Sequence, residues 1–532
     1  MAQGQTSSTG SLGSASTYDV AGRKDVDLLH SKAVGLMGVL FLTVTGAAPI
    51  SAMLFNVPVA VGYGEGLGSP AAFLVATIVL LIFSVGYAAM AGKVTAVGGF
   101  YSFISHGLGR ELGMAMGFGS VVAYSVFEAS LCGGFAYFMN LKIHDLAGVD
   151  IQWPYLALFM VLLIAILTYF DVKLSTWILG IALIGEVVIL AIFDIGIFTS
   201  SAANVQIAAV NPVNAFTDFA AHNDLTAGAW VIGLFFAFWS WVGFEMAPNY
   251  GEESRDPKRI VPLSLYISVL GLGIFYTITS WAGVSAYSTI DDAIKISQTD
   301  SAHFFLTPAN SMVGAWVGGL MSYLILTGAF ACGMAFHNTA ARYFYSLGRE
   351  GVLPRSLGKT HAVYKSPYVA SFAQSIIAAI LIILFWVFAG GNDPSAQAYV
   401  MVYGLLAVMG TMLIMLAQAL VSIAIIVYFR KNHPEDHHWW STLVAPLISF
   451  AAQVIIIGVM IWKMDFLGAG LAFADWIVWI NLAVLAIGVA GAFYLKSSDP
   501  KKYDQIGRLI FQGAPDGTLV APERGEALSR RM

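Results

Sequence analysis

Phe235–Ser254 reads FFAFWSWVGFEMAPNYGEES, and the middle of this stretch decides the fold. It opens as an apolar helix of membrane grade, then sets Gly243, Phe244 and Glu245 in succession with Pro248 close behind. Glycine lowers helix propensity, while proline removes an amide donor and clashes with the preceding turn. Inside lipid, nothing satisfies the peptide groups such a break sets free. Irregular backbone at that depth is tolerated only where it is buried in protein or lines a cavity. The first apolar span repeats the pattern: TVTGAAPISA, residues 43–52, places Gly46 and Pro49 in mid-helix.

Composition supports the membrane reading. Of 532 residues, 58% are hydrophobic and 11% charged, where a soluble globular chain carries roughly 25% charged residues. A bilayer core of about 30 Å takes roughly 20 apolar residues per helix. The chain supplies twelve such spans, from about 33–56 to about 473–495, with the sixth at about 227–250. The expected fold class is an all-α integral membrane protein with twelve transmembrane helices. A net charge of −5 gives no reason to expect nucleic acid. Cys132 and Cys332 lie in apolar spans and make no disulfide framework, and no Cys/His spacing suits a metal. No P-loop is present, so ATP-driven action and a bound cofactor are not expected.

Residues 1–30, rich in Ser, Gly, Thr and charge, read as a disordered cytosolic tail rather than a cleaved signal, which makes the first span an uncleaved anchor. Residues 497–532 read as a second cytosolic tail. With both ends inside, 23 of the 26 Lys and Arg fall in inner segments, and only Lys142, Lys295 and Lys463 fall outside. Cytoplasmic loops hold such an excess, and moving the count by one span destroys it. The expected setting is the plasma membrane, multi-pass, with both termini cytoplasmic. Interruptions in the first and sixth spans fit two five-helix halves of opposite topology. The expected organisation is thus a ten-helix core over 31–430 and two additional helices over 431–496.

Paired interruptions of this kind point to a central transporter site. Freed amides at a half-helix N-terminus favour an anion, and freed carbonyls at a C-terminus favour a cation. The first break offers Thr45, Gly46, Ala47, Ala48 and Pro49; the second offers Gly243, Phe244 and Glu245.

Three segments carry a family resemblance. GGFYSFISHGLGRELG (98–113) is similar to a Gly-Gly-x-Tyr lead into the third helix. WSWVGFEMAPNYGEESRDPKRIVP (239–262) resembles a sixth helix followed by an Asp-Pro-x-Arg-x-x-Pro loop, here Asp256, Pro257, Arg259 and Pro262. ARYFYSLGREGVLPRSLGKTH (341–361) resembles the loop after the eighth helix, with Gly-x-Leu-Pro at 351–354. Together these resemble the amino acid–polyamine–organocation permeases. The resemblance implies a LeuT-like core of two inverted five-helix repeats and alternating access around a site between helices 1, 3, 6, 8 and 10. It implies amino acid or amine substrates, driven by protons, sodium or exchange. It also gives Trp239, six residues before Glu245, a stacking role over substrate, as in the arginine/agmatine exchangers, with Glu245 as local anchor or gate. Two features depart from the pattern. The first break reads TGAAPI rather than Gly-x-Gly, and Pro49 has no N–H to offer a carboxylate. The fifth span carries Glu186 where proton-coupled relatives place a lysine, which leaves the coupling ion open between H+ and Na+.

Ionisable residues inside a membrane are functional candidates by default. Here they are Glu128, Glu186 and Glu245, without a fixed cation at comparable depth. Glu128 is a candidate for substrate contact and Glu186 for ion or proton coupling. Asp194 lies near the outer end of its span, within reach of water, and His337 reads as a packing residue. Tyr124, Phe238, Trp239, Phe244 and Tyr403 are the aromatics placed near the site, where a ring face attracts an ammonium group. The function expected is secondary active transport of an amino acid across the cytoplasmic membrane, with an amine or polyamine as the alternative substrate. A nutrient sensor of transporter fold, or a membrane-embedded enzyme, fits less well. The tails are short, and no nucleophile–base pair or metal cluster stands at either face. The expected partners are a small solute and the lipid bilayer; nothing in the sequence sets an oligomeric state.

Overall fold

The computed structural model describes residues 34–94, 98–169, 172–217, 228–388 and 397–507, with backbone alone for 172–179, and a strand pair, Gln512–Gly513 against Leu519–Val520. The expected N-terminal tail lies outside the described residues, as does most of the chain beyond Gly507. Eleven helices among the described residues are long and apolar enough to cross a membrane, and the shorter apolar Trp153–Thr168 makes the expected twelfth. In chain order they are α1 (Leu36–Tyr63), α2 (Gly66–Ala91), α3 (Arg110–Ala147), α4 (Trp153–Thr168), α5 (Val172–Thr199), α6 (Trp230–Tyr250), α7 (Pro257–Ser285), α8 (Ala315–Arg349), α9 (Tyr368–Phe388), α10 (Gln397–Asn432), α11 (Trp440–Trp462) and α12 (Ala474–Ser498).

Burial sorts these helices into a centre and a rim. In the most apolar window of α6, 94% of residues are buried, and 83% in α1 and α3, against 28% in α9 and 22% in α12. The two helices that carry breaks are therefore interior, as backbone without water requires. Rim helices turn Phe372, Trp386, Ile455 and Trp476 outward, where lipid tails accept them. The Gly-Gly-x-Tyr segment is not the start of α3 itself. It forms a separate helix, Gly99–Gly107, ahead of a left-handed turn at Gly109.

One end of the bundle is tied shut by buried charge. Arg342 pairs with Glu253 at 2.7 Å, and Arg349 holds both oxygens of Glu252, at 2.9 and 3.0 Å. The chain just beyond α12 joins this end: the Gly507 amide donates to the Tyr101 hydroxyl at 2.8 Å and to Glu350 at 3.0 Å, and Ile506 is fully buried. Asp194, expected to reach water, is instead buried and accepts the Thr279 hydroxyl at 2.8 Å. It faces α7, where the threonine supplies its bond.

Candidate functional site

The break in α1 is a single residue wide. Ala48 sits in the left-handed region (φ 42°, ψ 78°), outside the right-handed helix that a residue ahead of proline disfavours. Pro49 then starts the second half-helix, where its missing N–H costs nothing. The groups freed here find protein partners. The Gly46 carbonyl accepts the Cys332 thiol at 3.1 Å, and the Ala47 carbonyl accepts the Tyr276 hydroxyl at 2.7 Å. The Ile50 amide donates to Glu186 Oε2 at 3.2 Å. Glu186, fully buried on α5, thereby bridges to the positive end of the second half-helix.

The break in α6 follows Trp239. Four residues of turn end at Gly243 (φ 130°, ψ −35°), and a tight 3-10 run, Phe244–Tyr250, continues the chain. Glu245 braces this geometry with both oxygens: Oε2 accepts the Gly243 amide at 2.9 Å and Oε1 accepts the Tyr124 hydroxyl at 2.8 Å. The two breaks touch. A Cβ added at Gly243 would overlap the Gly46 carbonyl carbon and stand 2.6 Å from the Ala47 nitrogen.

Beside this crossing lies a small cavity of about 20 Å³, lined by both breaks together with Trp239, Tyr403, Phe336 and Cys332. Such a space holds about one water molecule and no amino acid, and every lining residue is buried. The molecule is therefore in an occluded arrangement. A polar belt runs along one wall. Trp239 Nε1 donates to the Tyr403 hydroxyl at 2.9 Å, Tyr403 donates to Asn56 Oδ1 at 2.5 Å, and Asn56 Nδ2 donates to Ser240 at 2.7 Å. Phe127 and Phe336 pack over the Trp239 indole, with centroids at 4.6 and 5.9 Å. Ser51 also lines the cavity, and its hydroxyl has no hydrogen-bond partner among the described residues.

The belt makes an ordering testable. Trp239→Phe removes one buried bond, about 1 kcal/mol. Tyr403→Phe strands both the indole N–H and the Asn56 carbonyl, about 2–4 kcal/mol. Thermal midpoints in detergent should fall in that order, and the reverse order would dismiss the belt.

Of the residues expected at the site, Gly46, Ala47, Ala48, Trp239 and Tyr403 line the cavity. Gly243 closes against α1 without lining it, and Thr45, Pro49 and Phe238 are buried beside it. Tyr124 and Glu245 form the brace behind the α6 break. Phe244 faces the other way, edge-on to Phe83 and Trp241. Glu128 lies outside the lining; it shares a bond with His337 of α8 and accepts one from Gln374 of α9 rather than facing the breaks, because its position on α3 is turned toward that seam. Sequence reasoning missed Ser51, Asn56, Ser240, Cys332 and Phe336. Asn56 had a readable signal, as the single carboxamide in the first span.

Comparison with known proteins adds the family. The profile of the family described as "Amino acid permease" matches residues 34–492. The chain is 24% identical over 442 residues to a methylthioribose transporter of Bacillus subtilis, covering 79% of this chain and 85% of that protein. It is 24% identical over 438 residues to the branched-chain amino acid permease BcaP of the same organism, covering 78% and 81%. Against the low-affinity putrescine importer PlaP of Escherichia coli it is 24% identical over 329 residues, covering 59% and 66%.

Proposed function

The chain belongs to the amino acid permease family and is a multi-pass membrane transporter rather than an enzyme, and from that premise we propose that it moves an amino acid by alternating access between α1 and α6. The observation that carries this reading is the contact of two interrupted helices beside a small cavity whose lining residues are all buried. The cavity widens to take substrate when the Trp239–Phe336 side swings away. Ser51, near the positive end of the second half-helix of α1, offers its unengaged hydroxyl to a carboxylate. Trp239 and Tyr403 cover the solute's other groups.

A second reading, an amine substrate, is favoured by one observation: among the described residues, no Lys or Arg lines the cavity. It also agrees with the putrescine importer among the relatives. Uptake of labelled leucine, putrescine and methylthioribose into proteoliposomes separates the two. Transport restricted to solutes without a carboxylate would remove the amino acid reading.

We place the ion-paired end of the bundle in the cytoplasm, since 23 of 26 Lys and Arg then lie inside. The ten-helix core over 31–430 rocks, and the helices over 431–496 brace it. Glu186 couples transport to H+ or Na+: one of its oxygens holds Ile50 and the other, Oε1, has no hydrogen-bond partner among the described residues. Glu186→Gln keeps an acceptor for Ile50 but gives up the charge. It should abolish concentrative uptake and leave counterflow partly intact. Unchanged accumulation would take Glu186 out of the coupling role. Counterflow with and without Na+ and a pH gradient identifies the ion.

A further inference from the structure

Away from the cavity, α3, α8, α4 and α9 enclose a polar cluster in otherwise apolar packing. Glu128 and His337 are both fully buried, with Nδ1 of the imidazole 3.0 Å from Glu128 Oε2. Gln374 Nε2 donates to the same oxygen at 2.7 Å, and its own carbonyl accepts the Ser125 hydroxyl at 2.6 Å, which fixes the direction of the amide. Glu128 Oε1 has no hydrogen-bond partner among the described residues. On the far side of the ring, Nε2 lies 2.8 Å from the Ser371 hydroxyl and 3.2 Å from that of Thr168. Thr168 gives its proton to the Ile164 carbonyl at 2.8 Å, so it can only accept from the ring or from Ser371, 2.9 Å away.

These constraints leave two proton counts. If Ser371 donates to Nε2, that nitrogen is bare, Nδ1–H donates to an ionised Glu128, and the cluster carries one negative charge. If Ser371 donates to Thr168, Nε2 carries a hydrogen and donates to Ser371. The Glu128–His337 pair then holds one further proton, as carboxylic acid with imidazole or carboxylate with imidazolium, and is neutral. With the added proton held between Glu128 Oε2 and Nδ1, rotation of one hydroxyl separates an empty cluster from a loaded one.

The charges around the pair do not fix either count. Arg342, further along α8, is committed to Glu253 and to the Tyr250 ring. On α3, Cys132 lies one turn beyond Glu128, and Tyr124, one turn before it, is bonded to Glu245 of α6. Glu186 of α5 packs on α8 at Gly328. On α10, Tyr403 is bonded to Trp239 and Asn56. From α4 and α9, the groups that face the ring are hydroxyls.

Resting on the transporter reading above, we propose that Glu128 and His337 form a proton-binding site distinct from the central cavity, loaded in the occluded arrangement and exchanging its proton with water at the end of the bundle where Thr168 and Ser371 lie. Tyr169, next to Thr168, is exposed there. On loading, a proton from water binds the pair, the Ser371 hydroxyl turns from Nε2 to Thr168, and the negative charge is cancelled; unloading returns that proton to water. Loading acts on the cavity through its wall. Phe336, beside His337, and Leu131, one turn from Glu128, both line it. A buried net charge disfavours the dry, closed packing, so loss of the proton shifts the population toward an open one.

Infrared difference spectra of the detergent-solubilised full-length protein, stepped between about pH 9 and about pH 5, test this without any substrate. Wild type should show carboxyl and imidazole bands that change with pH, and the wild-type-minus-Glu128→Gln difference should isolate those of this pair, since the bands of the other buried carboxyls, Glu186, Glu245 and Asp194, are common to both proteins. Superimposable spectra from the two proteins would overturn the site. If Glu128→Gln does not fold, Ser371→Ala should shift the pH at which these bands change, by about tenfold in proton affinity; no shift has the same overturning force. In proteoliposomes, pH-driven accumulation of leucine or putrescine should fall at least about tenfold in His337→Gln, and accumulation equal to wild type would also overturn the proposal. Should wild type carry neither solute, the substrate assignment fails while the spectra still decide the proton site.

Discussion

Gly243→Ala is expected to abolish transport and to cut the yield of folded protein. Two costs add at this residue. Its φ of 130° lies where an L side chain is strained, at about 1–3 kcal/mol. The new methyl would also overlap backbone atoms of Gly46 and Ala47, which cannot rotate aside as the end of a side chain does. The sum exceeds about 4 kcal/mol, beyond the ordinary range for a single substitution. Gly46→Ala should be milder, since its first obstacle is the flexible Met246 methyl at 2.8 Å. Gly271→Ala, with nothing within 4 Å of the added atom, is the control and should be neutral. Thermal midpoints and counterflow for the three variants check the order. A Gly243→Ala protein with wild-type counterflow would mean that the helices do not cross there.

The second large effect is expected at the ion-paired end. Glu252→Ala leaves the Arg349 guanidinium buried without its bidentate carboxylate. Removing one partner of a buried pair costs about 3–5 kcal/mol, because the remaining charge stays desolvated. The bundle can lower that cost by opening to water at this end. Glu252→Ala should therefore lose thermal stability and make α8 near Arg349 accessible to a water-soluble thiol reagent in a Ser346→Cys background. Restoring the apolar balance with Arg349→Met in the same chain should recover much of the stability. Equal midpoints for Glu252→Ala and wild type would show that the pair does not hold this end. Lys93 and Asp436, an exposed pair at 2.7 Å, should tolerate the same treatment.

The membrane helices and both breaks were legible because each rests on a strong local signal. Long apolar runs have one cheap arrangement in lipid, and Gly243, Pro49 and Pro248 act on the backbone regardless of neighbours. Trp239 and Tyr403 were legible by resemblance and by ring chemistry. The facing of individual side chains was not. α3 is apolar around most of its surface, so nothing in its pattern tells which neighbour Glu128 meets, and the sequence marks it only as costly. Asn56 and Ser240 join across the two halves of the chain, 184 positions apart, and no local rule reaches that far. His337, expected to pack, is indeed satisfied, yet its partners are a carboxylate and two hydroxyls rather than apolar surface.

Ala48 has one more consequence. Glycine would accept its left-handed torsions freely, whereas an alanine held at φ 42° stores energy, about 1 kcal/mol. Released in a two-state exchange, that amount is roughly a fivefold change in occupancy. The first helix is thus a loaded spring at its waist, leaning toward whichever rearrangement lets residue 48 relax, before any solute or ion arrives.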